Sequence, residues 1–408
     1  PLCCLTPSRP PDLLRVALAL GLGGVVAAVP ARFFPHSRIL PGAAILLIIG
    51  LFIILKAEPL ARAASVGLRL VTGQSTDLAS PLDLRWLGFS YLAFRLLHAL
   101  RDYQAGKLAA YSLGEFVTYA IFFPAYTAGP IDRSQRFIPE LRKTQDPQSA
   151  APKGAAQPAD AGRLFITASL PDLRPKAELA VSEDLVAGGQ RILWGIFKKF
   201  VLADSLALFA LNAQNATQAT SVPWIWVLLY AYALRIYFDF SGYTDIAIGL
   251  GRLMGFHLPE NFDRPYLKQN LTAFWNSWHI TLTQWFRAYF FNPAMRALRA
   301  SPRKLPAWAV ILVGQLGTML LIGLWHGITW NFIAWSAWHG TGLFVHNRWS
   351  GWARPRLAGL ADHRWLERIL QAGGWLLTFH YVVLGWVWFA LPDLPSALLV
   401  FQKSIGIR

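Results

Sequence analysis

A tryptophan-histidine-glycine triplet occurs twice in one apolar stretch, LIGLWHGITWNFIAWSAWHGTGLF, as Trp325-His326-Gly327 and Trp338-His339-Gly340. An imidazole can act as a general base, a proton shuttle or a metal ligand near neutral pH. In lipid-like surroundings it must find a partner, line water or do chemistry. On one straight helix the spacing between the two histidines gives roughly 20 Å of rise and roughly 220° of rotation. Such a helix would keep the rings out of one site, so two separate roles are expected. Gly327 would let a ligand approach the backbone closely. His326 is therefore the stronger chemical candidate. His339 also fits an ordinary buried histidine, hydrogen-bonded and packed by Trp and Gly.

Three more stretches carry polar side chains among aromatic ones. PENFDRPYLKQNLTAFWNSWHITLTQWFRAYFFNP (259–293) is too polar to span a membrane, and it holds Asn276, Trp278, His279 and Arg287. Phe274, Trp278 and Trp285 recur at helical spacings, which predicts an amphipathic piece. It reads either as a helix lying at the interface or as a re-entrant element whose polar residues line a cavity. YFDFSGYTDIAIGLGR (237–252) places Asp239 and Asp245 beside Ser241, Gly242, Tyr243 and Thr244, a polar break in a membrane helix. Its carboxylates need partners, for which Arg235, Arg252, Arg264 and Arg287 are candidates. FFPAYTAGPIDR (122–133) ends an apolar run with Pro124, Gly129 and Pro130.

The elements that must position these residues are apolar. Of 408 residues, 54% are hydrophobic and 15% charged. Runs long enough for helical spans, or for tilted and broken ones, are Leu13–Pro30, Ile39–Leu55, Leu113–Phe123, Trp224–Ile236, Pro306–Trp325, Ile328–Val345 and Ile369–Phe389. The net charge of +16 sits in short loops between these runs, not on a polar domain, so nucleic-acid binding is rejected. Arg296/Arg299/Arg303/Lys304 and Arg348/Arg354/Arg356/Arg364/Arg368 flank a hairpin of two runs, and both clusters fall on its cytoplasmic side. His326 then lies near the turn, away from the basic ends. Cys3 and Cys4 are adjacent and give no disulfide framework or metal spacing. No cleavable signal peptide is evident. With no strand pattern, the expectation is an all-α, polytopic integral membrane protein, a multi-helix bundle with re-entrant or interfacial helices. Its parts are N-terminal transmembrane helices (1–130), a flexible cytoplasmic loop (131–185) that becomes helical from Ser182, and a C-terminal transmembrane catalytic core (186–408).

Taken in order, LGFSYLAFRLLHALRD (87–102), FFPAYTAGPIDR, GIFKKFVLAD (195–204), YFDFSGYTDIAIG, NFDRPYLKQNLTAFWNSWHITLTQWFR and LWHGITWNFIAWSAWHG resemble the membrane-bound O-acyltransferase family. They are most like the bacterial branch that serves alginate O-acetylation and teichoic acid D-alanylation. The resemblance covers residues 87–408. It implies a helical acyltransferase with a tunnel, a key histidine at His326, a second polar position at His279, and a later histidine at His339. Trp330-Asn331-Phe332 is closer to the alginate-type branch. The chain departs from related bacterial members at Arg287-Ala288-Tyr289, where they usually have Arg-Asp-Tyr, at Asn276-Ser277, and at NPAMRALRASPRK after residue 291.

Acyl transfer from a thioester to a hydroxyl needs a base and stabilisation of the developing oxyanion. His326 is assigned as the base, and His279 orients the acceptor or stabilises the intermediate. Trp325, Asn331, Trp278, Asn276, Asp239, Ser241, Tyr243 and His339 are the candidate substrate-binding residues. No Gly-x-Ser-x-Gly elbow points to an acyl-serine. No bound cofactor or metal is expected; the co-substrate is an acyl thioester, acetyl-CoA or an acyl carrier protein. The expected partners are membrane lipid, this donor, and a polysaccharide or an extracytoplasmic acetyltransferase as acceptor. The expected location is the bacterial cytoplasmic membrane. Two readings from other classes stay open. A transporter or flippase of an envelope precursor would use the charged breaks as a path. A haem protein would use the histidine spacing but needs a second matching pair.

Overall fold

The computed structural model describes residue 18 and residues 39–84, 86–108, 110–145, 176–302, 305–357 and 364–407. Cys3, Cys4, Arg303, Lys304 and the run Leu13–Pro30 apart from Leu18 lie outside these residues. The main helices are α1 (Ile39–Lys56), α2 (Glu58–Thr72), α3 (Phe89–Gln104), α4 (Leu113–Ala120), α5 (Ser134–Gln145), α6 (Lys176–Ile196), α7 (Val222–Leu253), α8 (Ile280–Phe286), α9 (Ala307–His326), α10 (Trp330–Leu357), α11 (Arg364–Ala390) and α12 (Leu394–Ser404). Among the described residues the only strand-like pairing is an isolated bridge between Phe262 and Trp278. The fold is all-α, as expected. By length and composition α1, α9 and α11 can cross a membrane.

Several elements differ from the sequence reading. The run Leu113–Phe123 yields only the short α4, which at roughly 12 Å cannot span a bilayer. A capping box starts it: Ser112 Oγ accepts the Glu115 N–H, and the Ser112 N–H donates to Glu115. The region expected as a loop contains α5, because Phe137, Ile138 and Leu141 share one face and bury against Phe122 and Phe256. The following helix starts at Lys176, so Ser182 is inside α6 rather than capping it.

The largest revision concerns residues 237–252. They do not interrupt a helix; α7 runs unbroken through them. Its glycines are contact points with α6. A Cβ on Gly195 would meet Gly242 O at 2.6 Å, and one on Gly249 would meet Gly188 O at 2.7 Å. Small residues a heptad apart on both helices let the two backbones touch. Asp245 is paired, but with Arg191 (2.7 Å) and Lys198 (2.6 Å) from α6 and the π-helical segment after it. The arginines proposed from sequence are not its partners, because α6 packs along the same face of α7.

The principal core is aromatic. Phe274, Trp275, Trp278, Trp335 and Trp386 are all buried in it. It joins the segment 271–286 to α10 and α11, and the three histidines of interest border it.

Candidate functional site

His326 is the last residue of α9. Gly327 leaves the helix with extended backbone (φ −177°, ψ 151°), and Thr329 Oγ1 accepts the Phe332 N–H to cap α10. The histidine therefore sits at the turn of the hairpin, a full helix length from Ala307. Gly327 is not left open for a ligand: a Cβ there would meet the Phe332 ring at 2.7 Å. His326 is half-buried as a residue, its ring packed by Trp325 at 4.5 Å, Phe389 at 4.8 Å and Trp335 at 5.6 Å between ring centres. Together with Gly327 it lines a cavity of about 320 Å³ whose other walls include Phe52, Lys56, Glu58, Trp86 and Ser90. Lys56 Nζ lies 3.5 Å from the His326 carbonyl oxygen and 6.0 Å from the Trp325 ring centre.

One wall of this cavity is the turn at Pro81 and Leu82. It is pinned by Asp83, which accepts from Ser65 Oγ (2.6 Å) and Arg69 Nη2 (2.8 Å) of α2. Burial pushes the Asp83 carboxyl up. The Ser65, Arg69 and Ser80 hydrogen bonds with the Arg69 charge outweigh that and hold it below the usual carboxylate value.

His279 is buried, and its backbone is in the left-handed region at φ +45°. For a side chain with a Cβ this is strained, and such strain persists where surrounding contacts enforce it. Here Asn261 enforces it. Its Oδ1 accepts from Thr281 Oγ1 (2.6 Å) and the Thr281 N–H (3.2 Å), and lies 3.3 Å from His279 Nδ1. A backbone N–H can only donate, so the Asn261 atom is an oxygen and Nδ1 carries the proton. Nε2 is then a bare lone pair, buried with no partner. The His279 ring is 6.0 Å from Trp325, which also touches His326. One indole thus links the two imidazoles, and its own Nε1 is also unpartnered.

The remaining candidates divide. Trp278 is a core residue, stacked on Phe274 and packed on Trp386 at 5.0 Å. Asn331 donates from Nδ2 to Leu391 O (2.7 Å) and keeps an unpartnered Oδ1. Asn276 accepts from Arg287 Nη2 (2.6 Å) and lines a separate cavity of about 240 Å³ with Trp275 and Gln315. Ser241 Oγ is buried without a partner, and the Tyr243 hydroxyl pairs with Thr127 Oγ1. Asp239 is 52% exposed and ion-paired with Lys199, so the structure does not bring it to the histidines. His339 is fully buried among Trp275, Trp335 and Tyr381, with neither nitrogen hydrogen-bonded. The two histidines do not lie on one straight helix, because the chain turns at Gly327. His326 and His339 therefore contact the same indole, Trp335.

Sequence reasoning singled out neither Asn261 nor Lys56 as a site residue. Asn261 was visible as a polar residue in the same break as His279, but nothing local ties it to a ring so far along the chain. Lys56 closes an apolar helix and reads as an anchor.

Comparison with known proteins bears on what this arrangement does. The model of MBOAT, the membrane-bound O-acyltransferase family, matches residues 66–385. The teichoic acid D-alanyltransferase of Streptococcus thermophilus is 31% identical over 320 residues, covering 75% of this chain and 68% of that protein. The probable alginate O-acetylase AlgI of Pseudomonas aeruginosa is 30% identical over 324 residues, covering 78% and 51%. The peptidoglycan O-acetyltransferase of Helicobacter pylori is 33% identical over 302 residues, covering 73% and 48%. The chain spans about half the length of the last two.

Proposed function

The chain belongs to the membrane-bound O-acyltransferase family, and on that premise we propose that it moves an acyl group, acetyl first among candidates, from a cytoplasmic thioester to a hydroxyl of a cell-envelope polymer. The observation that carries this reading is His326: a half-buried histidine at a helix end, on the wall of a cavity and joined through Trp325 to a second imidazole with a free lone pair.

In this mechanism His326 removes the proton of the acceptor hydroxyl. The oxygen attacks the thioester carbonyl, the C–S bond breaks, and the imidazolium returns the proton to the departing thiolate. His279 with a proton on Nδ1 can accept a hydrogen bond at Nε2 but cannot donate one there. Its role is therefore to orient the hydroxyl rather than to stabilise the oxyanion. Asn261 acts by fixing that tautomer. Asn331, with its unpartnered Oδ1, is assigned to substrate contact, and Asn276 to the neighbouring cavity.

The relatives' names connect them with alginate, peptidoglycan and teichoic acid. The acceptor class proposed here is accordingly a polysaccharide hydroxyl, reached directly or through a relay protein outside the membrane. The proposed location is the bacterial cytoplasmic membrane, with the basic loops inside and the His326 turn toward the outer side. Acyl incorporation into envelope glycans, measured by mass spectrometry in cells with wild-type protein and with His326→Ala at matched levels, tests the reading. Loss of the acyl mark is expected; retained transfer would overturn it.

A further inference from the structure

We infer that a second cavity, lined by Arg133, Arg136, Arg287 and Ala288, is an anion site for the phosphate groups of the acyl donor. It measures about 430 Å³ and is also bordered by Thr281 and Asp132. Three arginines and one aspartate line it, and Arg287 also borders the neighbouring cavity that holds Asn276. Asp132 is ion-paired with Arg136, which also meets Glu140 at 3.2 Å, so this trio carries one net negative charge. Arg133 and Arg287, both exposed, supply two positive charges and leave the surroundings of the cavity cationic. The Arg133 guanidinium lies 5.6 Å over the Tyr289 ring, and Arg287 is held by Asn276. Each cation is thus oriented by a neutral neighbour and keeps its charge available. Rigid guanidinium forks match phosphate oxygens better than any other side chain.

Position relates this site to the chemistry. Thr281, on the cavity wall, donates to the same Asn261 oxygen that fixes His279. A donor anchored by its phosphates here has its binding energy realised two hydrogen bonds from the imidazole. Naming a thioester as the ligand rests on the acyl-transfer reading; the anion site itself rests on the arginines.

The test measures binding to the full chain in lipid nanodiscs, using CoA, 4′-phosphopantetheine and uncharged pantetheine as probes. CoA is expected to bind at least about tenfold tighter than pantetheine, and Arg133→Gln and Arg287→Gln are each expected to remove about tenfold of that preference. Unchanged melting temperatures would show that both variants fold. 4′-Phosphopantetheine separates two sources of the same chemistry. Affinity equal to that of CoA assigns the site to the single phosphate of a carrier-bound arm. Weaker affinity assigns it to the phosphates of a free nucleotide thioester. Equal binding of CoA and pantetheine, or wild-type CoA affinity in both variants, would overturn the site while leaving the transfer chemistry standing. Conversely, transfer retained by His326→Ala would sink the chemistry without touching the anion measurement.

Discussion

The two Trp-His-Gly triplets have the same composition and opposite environments at every position. Trp325 leaves its indole N–H unpartnered between two imidazoles, whereas Trp338 donates to Tyr381 O at 3.0 Å and its carbonyl accepts from the Tyr381 hydroxyl. His326 ends a helix and lines a cavity; His339 is mid-helix and wholly enclosed. Gly327 makes room for an aromatic ring of its own turn, and Gly340 makes room for Leu316 of α9. The first triplet is built around an opening and the second around a helix–helix contact. The difference teaches that chemical potential is set by where the helix stops. Gly327 with Thr329 stops it; Gly340, flanked by residues that continue the helix, does not.

The sharpest way to break this comparison is to remove each imidazole in turn. His326→Ala should lower acyl transfer by about 10²–10⁴-fold without loss of folded protein. His339→Leu replaces a ring that makes no hydrogen bond, and should change stability by less than about 1 kcal/mol and transfer by less than about fivefold. A large loss in the second variant at unchanged melting temperature would erase the distinction.

Asn261→Ala comes next, since it strips the acceptor from three buried donors of His279 and Thr281. It should cost about 3 kcal/mol in thermal or denaturant unfolding and should also depress transfer. Asn261→Asp retains an acceptor and should recover most of the stability.

The glycines give a smaller and more diagnostic pair. Gly327→Ala would push the Phe332 ring, which stacks on His326, and should lower transfer more than stability. Gly340→Ala would press mainly on the flexible end of Leu316, costing about 1 kcal/mol of stability with transfer intact.

The smallest effect expected is acid-dependent. The folded Asp83 carboxyl lies below its ordinary value of 3.8. Its stabilisation is therefore complete above that value and is lost as the pH falls through it toward the depressed folded pKa. The Asp83 turn walls the His326 cavity and not the His339 surroundings. Hydrogen exchange near pH 3 should therefore loosen residues 80–84 before α10, and Asp83→Asn should abolish the pH dependence.

Much of the architecture was legible in the residues. The apolar runs at Ile39–Leu55, Pro306–Trp325 and Ile369–Phe389 fall within α1, α9 and α11, because sustained apolar composition leaves a chain little alternative to a helix in lipid. The broken stretch around His279 was readable too, since its polar density rules out a span. The helical segment Ser134–Gln145 was harder to see: its buried face is three apolar residues among charges, and it forms against partners far along the chain. The glycines of 237–252 misled for the same reason. A glycine that permits a helix crossing and a glycine that breaks a helix look alike until the second helix is in place.

Composition and spacing alone determined that the chain is helical, membrane-adapted and equipped with histidines in apolar surroundings, because these follow from solvation costs each segment meets by itself. Tertiary structure decided which histidine lines a cavity, which nitrogen of His279 carries its proton, and that α6 rather than the nearby arginines balances Asp245. Those outcomes depend on contacts between segments tens to hundreds of residues apart, and local sequence carries no record of them.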